Sequence, residues 1–248
     1  MHRPLNLAHR GFSGRYPENT RAAFLAAIEA GADGFETDVH LSRDGQLVVL
    51  HDPVLGRTCD GSGAVIDKTY QELLRYDFGA WFDPVFRGER IMLMEELLEL
   101  VKQNNLVLNI EVKNYEVFYD GIEEALITLI RRMGMADAVF LSSFNHLSMA
   151  RCKDIDPGIR TGLLYSYPMW RADEYILGTR ADNAHPKYLC LELEPDLTER
   201  LHAQGKGVHT WTVNEEADMH RMIGLGVDSV ITNHPDRLKR ILEGGALT

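Results

Sequence analysis

Cysteine is scarce. Cys59, Cys152 and Cys190 are the only three in 248 residues, widely spaced and without a CxxC pair. An odd, scattered set excludes a disulfide framework and a zinc site built on paired cysteines. Long apolar runs are also missing, and none approaches the roughly 18 residues of a spanning helix. The opening MHRPLNLAHRGFSG lacks the apolar core of a secretory leader, so the expected compartment is the cytoplasm. Positive charge is short: 26 Lys and Arg against 37 Asp and Glu leave a net charge of −11. That excludes a non-specific nucleic-acid binder and a basic membrane-surface protein, and no stable membrane association is expected. Neither GxxxxGK[ST] nor GxGxxG occurs, and no GxSxG surrounds Ser142-Ser143. Phosphate-loop and serine-elbow chemistry therefore have no support.

Apolar residues are plentiful at 45%, with 25% charged, which is enough for a core and against intrinsic disorder. Strand-like and helix-like segments alternate. Strands are expected at 5–9, 35–41, 106–113, 139–144, 161–165, 188–193, 208–213 and 229–232. Helices are expected between and after them. One begins at Asn19 or Thr20 as N-cap and stops before Gly31. A further strand at 47–50 follows Asp44-Gly45, a hairpin signal. Residues 53–92 break the alternation, with an aromatic cluster from Tyr76 to Phe86, and read as a small insertion or cap. Forty residues are too few for an independent core. The expected architecture is one domain over residues 1–248, an α/β fold of the TIM (β/α)8 barrel type, with a doubly wound sheet as the alternative.

Buried parallel strands are normally apolar, yet several here turn polar at their C-terminal ends. The first ends in His9-Arg10. The second carries Glu36, Asp38 and His40 at alternating positions, and the third Asn109, Glu111 and Lys113. The seventh ends in Trp211-Thr212-Val213-Asn214 and the eighth in Thr232-Asn233. Barrel enzymes place their chemistry at this rim. Residues two apart on a strand share a face, so Glu36 and Asp38 lie side by side. With Glu111 they would make an all-oxygen site suited to Mg²⁺, Ca²⁺ or Mn²⁺. Rim salt bridges to Arg10 or Lys113 are the equal alternative. A two-residue Asp44-Gly45 turn would set Asp38 opposite His51, and a bulge would shift this by one. His51 is otherwise a loop histidine paired with Asp52. A His, an Arg and carboxylates at one rim suit phosphoryl chemistry.

Together the motifs resemble the glycerophosphodiester phosphodiesterase family. They are His9-Arg10-Gly11, Pro17-Glu18-Asn19-Thr20, Glu36-Thr37-Asp38-Val39, Asp44-Gly45, His51-Asp52-Pro53 and Arg57-Thr58. There follow Ile110-Glu111-Val112-Lys113, Ser142-Ser143-Phe144, Trp211-Thr212-Val213-Asn214 and Gly226-Val227-Asp228 leading to Thr232-Asn233-His234-Pro235. The resemblance implies a TIM barrel and hydrolysis of small glycerophosphodiesters, such as glycerophosphocholine or glycerophosphoethanolamine, to glycerol 3-phosphate and an alcohol. It implies His9 and His51 as general acid and base. It implies one divalent cation, Mg²⁺ or Ca²⁺ with Mn²⁺ as a further candidate, on Glu36, Asp38 and Glu111. Arg10 and Lys113 match phosphate-contacting positions, and Trp211 an aromatic wall. Attack by the substrate's own 2-hydroxyl and attack by water both fit these residues. Asp52 is expected to anchor its loop, because adjacent strand residues face opposite ways. Glu192 and Glu194 are expected at the end of the sixth strand. His2, His146, His185, His202, His209, His220 and His234 read as surface or structural. Two other functions compete: a lysophospholipase D using the aromatic insertion for an acyl chain, and a non-catalytic barrel.

Overall fold

The computed structural model describes residues 3–244, so His2 and the ends of the expected domain lie outside the described residues. The chain opens with β1 (Leu5–His9), α1 (Arg21–Glu29) and β2 (Gly34–Leu41). An excursion follows: β3 (Leu47–Val49), β4 (Val54–Leu55), β5 (Gly63–Ala64), α2 (Tyr70–Leu73) and β6 (Met92–Leu93). The alternation resumes with α3 (Met94–Gln103), β7 (Val107–Val112), α4 (Ile122–Met133), β8 (Val139–Ser143) and α5 (His146–Ile155). Next come β9 (Arg160–Tyr165), α6 (Ala172–Leu177), β10 (Asn183–Pro186), α7 (Tyr188–Leu193) and α8 (Leu197–His202). The chain ends with β11 (Gly207–Thr210), α9 (Glu216–Gly224), β12 (Ser229–Thr232) and α10 (Pro235–Leu242).

β1 pairs in parallel with both β2 and β12, so β1, β2 and β7–β12 close into an eight-stranded parallel barrel. This is the expected TIM barrel. Among the described residues no helix is long and apolar enough to cross a membrane.

Strand alternation divides the side chains between two compartments. Phe35, Val39, Leu108, Ile110 and Leu141 belong to the layer shared with Phe24, Leu97 and Leu126 of the helices. Leu7, Phe140 and Ile231 form a smaller cluster, with Trp211 packed against it. His185 and His209 stack beside Phe140 at 4.8–5.8 Å. A Cβ on Gly162 would stand 2.2 Å from His185 Nε2, so glycine there makes room for the imidazole. Helix ends follow local chemistry. The Thr20 hydroxyl accepts from Ala23 N–H. α4 carries Glu123 and Glu124 in its first turn, Arg131 and Arg132 in its last, and Gly134 as a left-handed cap.

Three expectations change. The run 188–193 is the helix α7, and the sixth strand is the short polar segment Asn183–Pro186. Six apolar-rich residues fit either state, and NAHP carries no strand signal. Glu192 therefore lies on α7 and Glu194 just past it, paired with Arg221 and Arg200. The hairpin pairs Leu41 with Leu47, one residue off the expected register. Gly45 takes φ +74, Gly45 N–H donates to Ser42 C=O and Ser42 N–H to Gln46 C=O. That makes a three-residue loop with a left-handed glycine rather than a two-residue turn. Asp38 then stands opposite Leu50, with Leu50 N–H donating to Asp38 C=O. Finally, His51 and Asp52 lie beyond the end of β3, where strand alternation no longer applies, and their side chains meet.

The excursion has a small apolar centre of Leu55, Cys59, Val65, Leu73, Phe78 and Ile91 against Val48 and Leu50. Its aromatics divide: Phe86 lies 5.3 Å from the Tyr16 ring and 5.9 Å from Phe82, while Trp81 and Phe82 stay partly exposed.

Candidate active site

Seven of the eight singled-out residues line one cavity of ≈ 110 Å³: His9, Arg10, Glu36, His51, Glu111, Lys113 and Trp211. Asp38 is fully buried beside them, within 3.4 Å of Arg10 Nε and 3.7 Å of Lys113 Nζ. β1, β2, β7, the segment after β3 and the end of β11 bring together residues up to 202 positions apart.

His9 closes β1. Its Nδ1 lies 2.6 Å from Asn233 Oδ1, which also accepts from Ser13 Oγ at 3.0 Å. An amide oxygen only accepts, so Nδ1 carries the hydrogen and the free Nε2 faces Glu36 Oε2 at 3.8 Å. Burial and the charge of Arg10 hold the His9 ring neutral, with its pKa lowered to about 3. Arg10 sits in the left-handed region at φ +56, an uncommon conformation for a non-glycine residue. Its Nη1 donates to Glu18 Oε1 at 2.8 Å. His51 Nδ1 lies 2.6 Å from Asp52 Oδ1.

The carboxylates are crowded. Burial and the neighbouring Asp38 push Glu36 well above the usual carboxyl range. Burial also raises Glu111, against the pull of Lys113. For Asp38 burial is outweighed by Arg10 and Lys113, which hold it below the usual range. Burial is likewise outweighed at Lys113, where Asp38 and Glu111 keep the ammonium charged. Its Nζ donates to Glu111 Oε1 at 3.0 Å and to Tyr115 OH at 2.6 Å.

Ion pairs and a carboxylate cluster that could hold a metal ion thus share the site. Arg10 engages Asp38 Oδ2, and Lys113 engages Glu111 Oε1 and, at 3.7 Å, Asp38 Oδ1. Glu36 Oε2 and Asp38 Oδ1 are buried without a hydrogen-bond partner. One donor oxygen each from Glu36, Asp38 and Glu111 lies within 4.8 Å of the others, so the cluster could hold a metal ion. An orphaned buried carboxylate oxygen is costly unless a cation satisfies it. A hard, all-oxygen donor set fits such a cation.

Sequence reasoning left several participants aside. Tyr115 and Phe144 line the cavity. With Trp211 they form a ladder of edge contacts at 5.5 Å, and Trp211 Nε1 donates to His185 C=O at 2.8 Å. Asn19, at φ +59, donates to Asp38 Oδ2 at 3.1 Å and accepts from Thr37 Oγ1 at 2.9 Å. Asn109 lines the cavity with both amide atoms buried and unpartnered. Its place two residues before Glu111 was the available signal. Asn233, the first residue after β12, is the partner that sets the His9 tautomer. A larger groove of ≈ 490 Å³ near the start of α4 is lined by acidic residues and Arg151 but by no histidine.

Residues 9–237 match the Glycerophosphoryl diester phosphodiesterase family. The chain is 42% identical over 241 residues to a glycerophosphodiester phosphodiesterase of Caldanaerobacter subterraneus subsp. tengcongensis, covering 97% of this chain and 98% of that one. It is 40% identical over 237 residues to one of Bacillus altitudinis, covering 95% and 97%. Among solved structures it resembles an Oleispira antarctica phosphodiesterase in complex with the product sn-glycerol-3-phosphate. The TM-score there is 0.85 at 28% identity, over 96% of this chain and 97% of that one. A Thermotoga maritima glycerophosphodiester phosphodiesterase gives a TM-score of 0.76 at 28% identity, over 97% and 99%. With its closed barrel and its rim of charged strand ends, the chain belongs to the glycerophosphoryl diester phosphodiesterase family and is a glycerophosphodiester phosphodiesterase, a phosphoric diester hydrolase.

Proposed function

We propose that the preferred substrates are small glycerophosphodiesters, such as glycerophosphocholine or glycerophosphoethanolamine, cleaved to glycerol 3-phosphate and an alcohol. The observation that carries this reading is the pair of orphaned carboxylate oxygens, Glu36 Oε2 and Asp38 Oδ1, beside Arg10, Lys113 and two histidines. Glu36, Asp38 and Glu111 would hold one divalent cation, Mg²⁺ or Ca²⁺, with Mn²⁺ as a further candidate. When bound, such a cation offsets charge on the non-bridging phosphate oxygens. The two cations and three carboxylates of the site leave one excess negative charge. A divalent ion turns that into one positive charge, which suits a phosphodiester anion despite the acidic chain.

Arg10 and Lys113 bind the phosphate. Neutral His9, with its lone pair on Nε2, takes the proton of the attacking hydroxyl, whether from glycerol or from water. His51 gives a proton to the leaving alcohol, and Asp52 on its Nδ1 balances the charge of the protonated ring. Trp211, with Phe144 and Tyr115, walls the glycerol or the leaving group. Residues 53–92 act as a cap beside the mouth. Phe86 of that segment packs onto Tyr16, while Trp81 and Phe82 keep part of their surface exposed. The free, buried cysteines accord with a cytoplasmic home.

The test is glycerol 3-phosphate release from both substrates after EDTA treatment, with Mg²⁺, Ca²⁺ and Mn²⁺ restored singly. Activity lost to EDTA and regained with one ion supports the reading. Folded protein silent with every ion and both substrates overturns it.

A further inference from the structure

Arg57 lies on the exposed loop after β4, with a side chain 45% exposed, and nothing above gives it a role in the reaction. Four of its five N–H groups are engaged. Nη1 donates to Glu18 Oε2 at 2.8 Å and Nη2 to Glu18 Oε1 at 2.7 Å. Nε donates to Asp52 Oδ2 at 2.5 Å, and Nη2 also to Asp52 Oδ1 at 3.2 Å. Each carboxylate in turn holds one residue of the active site. Glu18 Oε1 accepts from Arg10 Nη1 at 2.8 Å, and Asp52 Oδ1 lies 2.6 Å from His51 Nδ1.

We propose that Arg57 is a positioning residue that clasps the two loops of the active site together, aiming His51 through Asp52 and Arg10 through Glu18. The proposal rests on the assignment of His51 and Arg10 to the reaction. His51 needs such a hold because it stands beyond the paired part of β3, without strand hydrogen bonds of its own. Along the chain Arg10 and His51 are 41 residues apart, whereas the polar route between them is three side chains. The fork of an arginine can serve two carboxylates at once. A lysine presents a point charge and cannot reproduce both bidentate contacts. An ion pair this exposed contributes little to stability, so its effect should appear in the reaction rather than in folding. Small misplacements of reacting groups can lower rates by about 100-fold.

The test compares Arg57→Ala, Arg57→Lys, Glu18→Gln and Asp52→Asn in the full chain with the metal that supports activity. Arg57→Ala is expected to lower kcat by about 10-fold to 100-fold with an unchanged circular dichroism spectrum, and Arg57→Lys to recover only part of that. Asp52→Asn should act mainly on kcat and Glu18→Gln mainly on KM. In the Arg57→Ala/Asp52→Asn pair, kcat should fall no further than in Asp52→Asn alone. Independently of any substrate, the His51 Nδ1–H signal in ¹H–¹⁵N spectra, assigned by its loss in His51→Ala, should exchange faster with water in Arg57→Ala. Kinetic constants within twofold of wild type, an additive double variant, or an unchanged His51 signal would overturn the clasp. A wild-type chain inactive on glycerophosphodiesters would instead count against the substrate assignment, leaving the His51 signal to decide the clasp.

Discussion

Replacing Glu36 by Gln separates the metal-bearing role of the carboxylate cluster from its cost to the fold. Three carboxylate oxygens lie within 4.8 Å of one another, and two charges at that distance repel by roughly 3 kcal/mol at an effective dielectric constant of about 20. Glu36 Oε2 is also buried without a partner. The amide removes the charge repulsion, so metal-free Glu36→Gln should melt at or above metal-free wild type. With a divalent cation the order reverses. At a concentration 100 times its Kd, a bound ion stabilises wild type by about 2.7 kcal/mol. At about 2–4 °C per kcal/mol for a chain of this size, the melting temperature rises by about 5–11 °C. Losing one charged ligand should weaken binding by about 100-fold or more, since partners that merely support a ligand already contribute 10–100-fold. At the same concentration the variant then gains only about 0.4 kcal/mol, roughly 1 °C. Differential scanning calorimetry with EDTA and then with Mg²⁺ or Ca²⁺ reads both arms. A wild type that does not respond to any ion, or a variant that responds as strongly, would refute the reasoning.

The raised pKa values of Glu36 and Glu111 carry a sign: a protonated carboxyl must release its proton before it can ligate. Metal affinity should therefore rise with pH until these carboxyls are ionised, by up to about tenfold per unit for each proton displaced, and calorimetric heats should depend on the buffer. An affinity flat with pH would show that the carboxylates are already ionised. His9→Ala and His51→Ala should each lower kcat by about 10²–10⁴-fold while leaving the melting temperature within a few degrees, read by steady-state kinetics and calorimetry. Unfolding of either variant would mean a structural role. Gly162→Ala should destabilise by about 1–3 kcal/mol, because its Cβ would stand 2.2 Å from His185 Nε2. A urea midpoint equal to wild type would show that the imidazole has room to move.

The barrel was legible because seven of its strands fall in the alternation of strand-like and helix-like segments, and several of them turn polar at their C-terminal ends. The sixth strand was not, because Asn183–Pro186 has neither length nor β-branched residues, while its apolar-rich neighbour at 188–193 has the composition of a strand and the fold of a helix. Glu36, Asp38, Glu111 and Lys113 could be grouped from their spacing of two. The place of His51 was right, although the register that led to it was off by one. Its position beyond β3, where the chain turns freely, brings the ring to the cavity regardless. The partners of these residues were out of reach. Asn233 meets His9 across 224 residues, and Arg57 meets Glu18 across 39. Such contacts follow from barrel closure and loop path, which leave no periodic trace. Asp52 meets His51 because β3 has ended there, so strand alternation no longer turns adjacent side chains apart.

The most direct measurement is a crystal structure of His51→Ala soaked with glycerophosphocholine and Ca²⁺, with data collected to reveal the anomalous signal of calcium. The expected result is one ion bound by Glu36, Asp38 and Glu111, with the phosphate against Arg10 and Lys113 and His9 Nε2 facing the site of attack. Calcium or phosphate bound elsewhere, with the carboxylate cluster engaged only by Arg10 and Lys113, would contradict both the metal site and the roles built on it.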